Sequence, residues 1–201
     1  RYAFDKHAHV LLPRLSEFRP PILTHTVWAS AVILFQNPPL RTAIAAEAIS
    51  KMDEFQAFSL ASMAWAVSVL EFCFKPLITA ISAAALRSIG DFEQEHISMT
   101  VWAFASLRNP LPTLLHAISS KAISKLAEAV PPALANMAWS VSVMLVEDVP
   151  CLAALAAAAL PRCTQFQVHT LSGTAFAFAP CHIRVPPLRT SIASSAIRTR
   201  R

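Results

Sequence analysis

Six basic residues recur along the chain at intervals of 36 to 38 residues, and this spacing gives them a possible chemical role. Lysine or arginine at one place in each of several stacked helix pairs would form a line of positive charge that contacts successive phosphates. A basic residue in the last turn of a helix is also favoured by the helix dipole, so capping explains the same positions without a ligand. The two interpretations are compatible. This basic series consists of Arg14, Lys51, Arg87, Lys125, Arg162 and Arg198.

Three polar residues share another place in the same pattern, three residues before a regularly spaced aromatic residue. Other copies of the pattern carry Met99 or Gly173 there, so this side chain varies. Repeat arrays that read RNA can use two or three side chains for each base, and a variable polar position fits that use. A position under no constraint would vary as well. This polar series consists of His25, Ser62 and Asn136.

The remaining candidates for chemistry do not form a catalytic or metal-binding set. The seven histidines occupy different places in the pattern, and the four cysteines form no C-x-x-C pair and no zinc-ligand spacing with histidine. A chain with two glycines cannot form a glycine-rich phosphate loop. We therefore expect no enzymatic activity, no metal ion and no cofactor.

The elements that would position these residues follow from the tryptophans, which lie 37 residues apart. One further step reaches Phe176. A leucine or isoleucine lies five residues before each of these aromatics, and a phenylalanine lies ten before most of them. Such a fixed period indicates stacked helical repeats. We expect the aromatics to pack between repeats rather than to stack on bases. The tryptophans are Trp28, Trp65, Trp102 and Trp139.

Prolines at the predicted helix starts complete the fold prediction, because proline is favoured in the first turn of a helix. We predict an all-α, right-handed α-solenoid of antiparallel two-helix repeats, with an irregular last repeat because it contains Gly173 and Pro180. The chain begins with Arg1, which suggests a fragment of a longer protein. The predicted boundaries are a partial repeat 1–17 and repeats 18–54, 55–91, 92–128, 129–165 and 166–201.

Composition and charge limit the possible partners. The chain is 55% hydrophobic, which excludes a disordered chain, and no apolar run approaches the roughly 20 residues of a membrane-spanning helix. The net charge of +5 favours nucleic acid, but all of the excess lies after Asp148. The segment up to Asp148 has 11 basic and 12 acidic residues, and this near-neutral balance favours a protein-binding scaffold.

Two segments resemble a known repeat class. These segments are similar to octatricopeptide-type RNA-binding repeats, including those of RAP-domain and FAST-kinase-like proteins. One is residues 134–140, Leu-Ala-Asn-Met-Ala-Trp-Ser, and the other is residues 92–105, which begin at Phe92 and include Trp102. They equally resemble the helical repeat domain of the kinetoplastid RNA-editing substrate-binding complex. Only Asn136 keeps the asparagine of the Leu-x-Asn motif, and no RAP domain is visible.

The resemblance implies an intracellular protein of the mitochondrion or plastid that binds single-stranded RNA. It further implies a role in RNA processing, stability or translation, together with other proteins of an organellar RNA-processing complex. The alternative, a protein–protein interaction scaffold of the same architecture, stays open because helical solenoids serve both roles.

Overall fold

The protein is all-α over the residues that the structure describes. The computed structural model describes residues 8–35, 37–107, 112–125, 130–143, 149–167 and 174–175, and no strand occurs among them. No helix in these ranges is long and apolar enough to cross a membrane. Arg198 and most of the predicted repeat 166–201 lie outside the described residues.

The helices alternate between two types along the chain. The first type carries the tryptophans: α1 is Pro20–Val32, α3 is Ala57–Val69, α5 is Gln94–Ser106 and α7 is Pro131–Val143. The second type is α2, Pro38–Ser50; α4, Lys75–Arg87; α6, Pro112–Lys125; and α8, Val149–Ala159. Short 3-10 segments precede helices of the first type at Leu12–Glu17, Met52–Glu54 and Ile89–Asp91, and another follows α8 at Leu160–Gln165.

Proline and side-chain caps explain where the helices begin. Helices α1, α2, α6 and α7 begin on a proline, whose missing N–H costs nothing in the first turn. Asn37 caps α2, because its Oδ1 accepts a hydrogen bond of 3.0 Å from the backbone N–H of Leu40. Helix α5 lacks an initial proline, and there the backbone N–H of Glu93 donates to Nδ1 of His96 at 3.1 Å.

The ends of α1 and α3 share a left-handed cap formed without glycine. Leu34 has φ 50° and Glu71 has φ 51°, a conformation that costs a non-glycine residue about 1 kcal/mol or more. Each is followed by a backbone N–H that donates five residues back, from Phe35 to Ser30 at 2.8 Å and from Phe72 to Val67 at 3.0 Å. These bonds satisfy carbonyls that the helix leaves open, as in the Schellman motif.

The chain divides into two compact units, Arg1–Phe92 and Glu93–Arg201. In the first unit α1 packs mainly on α3, and α2 packs on α4. In the second unit α5 packs mainly on α7, and α6 packs on α8. Helices of the same type therefore lie side by side within each unit.

The core follows the periodic positions of the sequence, although unequally. The residues five before each tryptophan are buried with at most 1% of their surface exposed: Leu23, Leu60, Ile97 and Leu134. Phe55, Phe92 and Phe166, which lie ten residues before an aromatic, are buried as well. The apolar residues 21 after the aromatic are covered less, and Ile123 is 41% exposed. Phe18, ten residues before Trp28, is half-buried, so packing explains the first position fully and the other two only in part.

The tryptophans contact one another within each unit. The ring centroids of Trp28 and Trp65 lie 6.5 Å apart, and those of Trp102 and Trp139 lie 6.3 Å apart. Aromatic pairs at this distance contribute roughly 0.5–1.5 kcal/mol beyond area burial. These contacts fit the packing role expected from the sequence, although Trp28 keeps 45% of its surface exposed.

Candidate functional site

Lys51 binds the backbone of the turn in front of α1. Its ammonium group donates to the carbonyl oxygens of Ser16 at 2.6 Å and Phe18 at 2.8 Å, and it pairs with Glu47 at 2.8 Å. Its side chain is only 21% exposed. Lys51 therefore fastens the end of α2 to the start of the same helix pair, and little of its charge faces solvent.

Arg87 and Lys125 make the same connection through carboxylates. A guanidinium nitrogen of Arg87 donates to Oδ1 of Asp53, and Nζ of Lys125 donates to Oε2 of Glu93 at 2.8 Å. Both carboxylates lie in the turn in front of the first helix of the pair. The hydrogen bond from Lys125 and the charge of its ammonium lower the pKa of the Glu93 carboxyl. Arg87 is 57% exposed and Asp53 is 91% exposed, so their ion pair stabilises the fold little.

The outer members of the basic series have local partners. Arg14 donates to Glu17 through Nε at 3.1 Å and Nη2 at 2.9 Å, and its side chain is 62% exposed. Nη1 of Arg162 donates to the carbonyl oxygen of Ala158 at 3.4 Å, as capping of α8 would require. The members of the basic series thus differ in exposure. Arg14 and Arg87 present most of their charge to solvent, and Lys51 does not.

The polar series divides in a similar way. His25 and Asn136 are exposed on α1 and α7, whereas Ser62 is buried in α3 with 4% of its surface exposed. His25 lies three residues before the exposed Trp28, so the two share one face of α1. A ligand can reach His25 and Asn136 without any rearrangement of the helices.

Arg41 lies outside the basic series and contacts the end of α3. Its guanidinium lies 5.0 Å from the ring centroid of Phe72, and Nη1 donates to the carbonyl oxygen of Leu70 at 3.4 Å. This cation–π contact joins α2 to the end of α3. The basic series excludes Arg41 because it lies early in its helix, so the sequence offered no signal for it.

The part of the chain that the structure describes contains no candidate metal-binding site. No group of three histidine, cysteine or acidic residues there lies close enough to hold one ion.

The decisive comparison is with protein families. The family model of the RNA-editing substrate-binding complex 6 protein matches residues 7–198, which is nearly the whole chain. The chain belongs to this family. No curated protein gives a significant match to it.

Membership of the RNA-editing substrate-binding complex 6 family confirms the resemblance read from the two tryptophan segments. It implies a role in RNA processing as a non-catalytic component of a mitochondrial RNA-editing complex of the kinetoplastid type. Of the two organelles expected from the sequence, the family points to the mitochondrion. Complex membership also implies both protein partners and RNA.

In this member of the family, Lys51→Met should lower the free energy of unfolding by roughly 1–3 kcal/mol. Methionine keeps most of the apolar stem, but it removes a partly buried, charge-assisted donor from two carbonyl oxygens. Chemical denaturation followed by circular dichroism measures the change. Lys75→Met is the matched control, because Lys75 is exposed at the start of α4 and should change stability by less than about 0.5 kcal/mol. Equal losses in the two variants would contradict a fastening role for Lys51.

Proposed function

We propose that the chain is an RNA-binding helical-repeat subunit that acts in mitochondrial RNA processing, and that its ligand is single-stranded RNA. The observation that carries this proposal is one basic residue per helix pair in a member of an RNA-editing complex family. The basic series would contact phosphates and the polar series would contact bases. Phosphate contacts supply affinity without sequence preference, and base contacts supply selectivity.

We also propose the underlying architecture, a right-handed α-solenoid with a 37-residue period. In its support, helices of the first type begin at residues 20, 57, 94 and 131, and helices of the second type begin at residues 38, 75, 112 and 149. The positive-φ caps at Leu34 and Glu71 have the same separation. The proposed repeats are 18–54, 55–91, 92–128, 129–165 and 166–201, after a partial repeat 1–17.

The members of the basic series contribute unequally in this proposal. Arg14 and Arg87 are exposed and bind exposed carboxylates, and ion pairs of this kind contribute little to stability. A phosphate group can therefore displace the carboxylate at small cost. Lys51 stays with its carbonyl oxygens, so its contribution to RNA binding is mainly to hold the fold. His25 and Asn136 are the accessible base-contacting residues.

RNA binding should strengthen when the carboxylate that occupies Arg87 is removed. In Asp53→Asn, the affinity for a labelled single-stranded RNA of mixed sequence should rise roughly twofold to fivefold at low salt, the equivalent of an exposed ion pair. Glu54→Gln is the matched control, because it removes the same charge from the next exposed position. A smaller, general charge effect is expected there. Fluorescence anisotropy over a salt series measures both variants.

The same salt series tests the wild-type chain. Its affinity should fall steeply with salt, by a slope of about 0.7 for each phosphate contact on a single strand. Two outcomes would count against RNA contact by the basic series: no binding at low salt, or identical affinities for Asp53→Asn and Glu54→Gln.

A protein-binding scaffold is the second candidate function. The near-neutral charge up to Asp148 favours it, and so do the exposed apolar residues of α1. A scaffold of this kind would bind single-stranded RNA weakly even at low salt.

A further inference from the structure

The outer side of α7 is open to solvent although the flanks of this helix are covered. Ala133, Met137 and Ser140 are buried with at most 5% of their surface exposed, whereas Asn136 is exposed and Trp139 is half-buried. Asn136 and Trp139 lie three residues apart, so they share one face of the helix. Their access to solvent therefore belongs to the outer side of α7 and does not come from an uncovered flank.

Helix α5 adds a second half to this surface. Met99 and Trp102 lie at the places in α5 that Asn136 and Trp139 occupy in α7, and both are half-buried. The two helices pack side by side, and the ring centroids of Trp102 and Trp139 lie 6.3 Å apart with 29° between the ring planes. The four side chains therefore form one surface, which we call the α5–α7 patch.

The tryptophans of this chain differ from its core phenylalanines in exposure. All four tryptophans keep part of their surface in solvent, since Trp28 is 45% exposed and the other three are half-buried. Phe55, Phe92 and Phe166, which occupy another regular position, have only 0–6% of their surface exposed. The tryptophans therefore pack on one another and still present ring surface to a ligand.

The α5–α7 patch combines aromatic surface with one carboxamide, and none of its four residues carries a charge. Unpaired bases bind proteins by stacking on aromatic side chains and by hydrogen bonds along the base edge. The amide of Asn136 can donate and accept such hydrogen bonds. An aliphatic side chain of a protein partner would cover the indoles but would leave this amide without hydrogen bonds, which is costly. The patch therefore suits a base better than an apolar protein segment.

We infer that the α5–α7 patch binds one unpaired base of single-stranded RNA, with the indole of Trp139 stacked on the base and the amide of Asn136 at its edge. The inference rests on the proposed function, and it gives the tryptophan a second role beside the packing expected from the sequence. His25 and Trp28 have the same spacing on α1, whereas the buried Ser62 leaves α3 without such a site.

Stacking is tested by comparing two labelled ligands in fluorescence anisotropy at low salt: a single-stranded RNA of mixed sequence, and the same ribose–phosphate strand without bases. In Trp139→Leu, the affinity for the RNA should fall about fivefold or more, and the affinity for the base-free strand should not change. Trp139→Phe keeps a ring and should retain most of the affinity. Phe58→Leu is the matched control, because Phe58 is 55% exposed on α3, where no exposed polar residue of the series accompanies it. This variant should bind as the wild type does.

Asn136→Leu tests the same site without touching the packing, because Asn136 is exposed. Its affinity for the RNA should fall about threefold or more, again without a change for the base-free strand. The RNA should also quench the indole fluorescence of the wild type more strongly than that of Trp139→Phe.

Three outcomes would overturn the inference. The first is an equal loss of affinity for both ligands in Trp139→Leu, and the second is wild-type affinity for the RNA in both leucine variants. The third is unchanged RNA binding together with reduced recovery of Trp139→Leu in the assembled complex, which would assign the patch to a protein partner. Salt-dependent RNA binding by the wild type in any of these cases would leave the RNA proposal standing, whereas no RNA binding by the wild type would overturn both.

Discussion

Leu23→Ala is expected to lower the free energy of unfolding by about 2–5 kcal/mol, whereas Ile22→Ala at the adjacent position should change it by less than about 0.5 kcal/mol. Leu23 has no exposed surface and Ile22 is 47% exposed, although both lie in the first turns of α1. Truncating Leu23 removes buried methyl groups and leaves a cavity, because neighbouring helices relax only partly. Truncating Ile22 removes surface that already contacts water.

Urea denaturation followed by circular dichroism compares the two variants directly. The midpoint should shift for Leu23→Ala with little change in slope, which indicates a change in stability rather than in the denatured state. Similar losses for Leu23→Ala and Ile22→Ala would show that the residue five before the tryptophan is not the packing position.

The helices could be predicted from the sequence because their signals are local. Proline acts within the first turn of the helix that it starts, and the structure places α2 and α6 where Pro38 and Pro112 predict. The residues five before each tryptophan could be assigned to the core for the same reason, since an apolar residue at a constant helical position faces one direction throughout.

The partners of the basic series could not be predicted from the sequence. Lys51 bonds to carbonyl oxygens 33 and 35 residues earlier, and Lys125 bonds to a carboxylate 32 residues earlier. The spacing of the basic series predicted one shared position at the helix ends, but it did not predict which way the side chains point. Arg87 and Lys125 therefore meet carboxylates and Lys51 meets carbonyl oxygens, although Glu17 lies in the turn that Lys51 contacts and pairs there with Arg14.

The exposure of the polar series could not be predicted from the sequence either. His25, Ser62 and Asn136 share one place in the pattern, yet only Ser62 is buried. Whether a given position in a helix meets solvent depends on the elements packed against it, which a local pattern does not give. Residues 37 positions apart in helices of the same type therefore share a conformation but not an environment, which a substitution can measure.

Ala66→Asp should lower the free energy of unfolding by about 3–5 kcal/mol, whereas Ala29→Asp should lower it by less than about 1 kcal/mol. The two alanines lie 37 residues apart at the same place in α1 and α3, so the change in helix propensity is the same. Ala66 has no exposed surface, and a carboxylate there would be buried without a partner. Ala29 is exposed, and aspartate there stays hydrated. Urea denaturation of both variants gives the difference, and Ala66→Ser controls for the added size. Equal destabilisation by the two aspartates would mean that α3 is no better covered than α1 at this position.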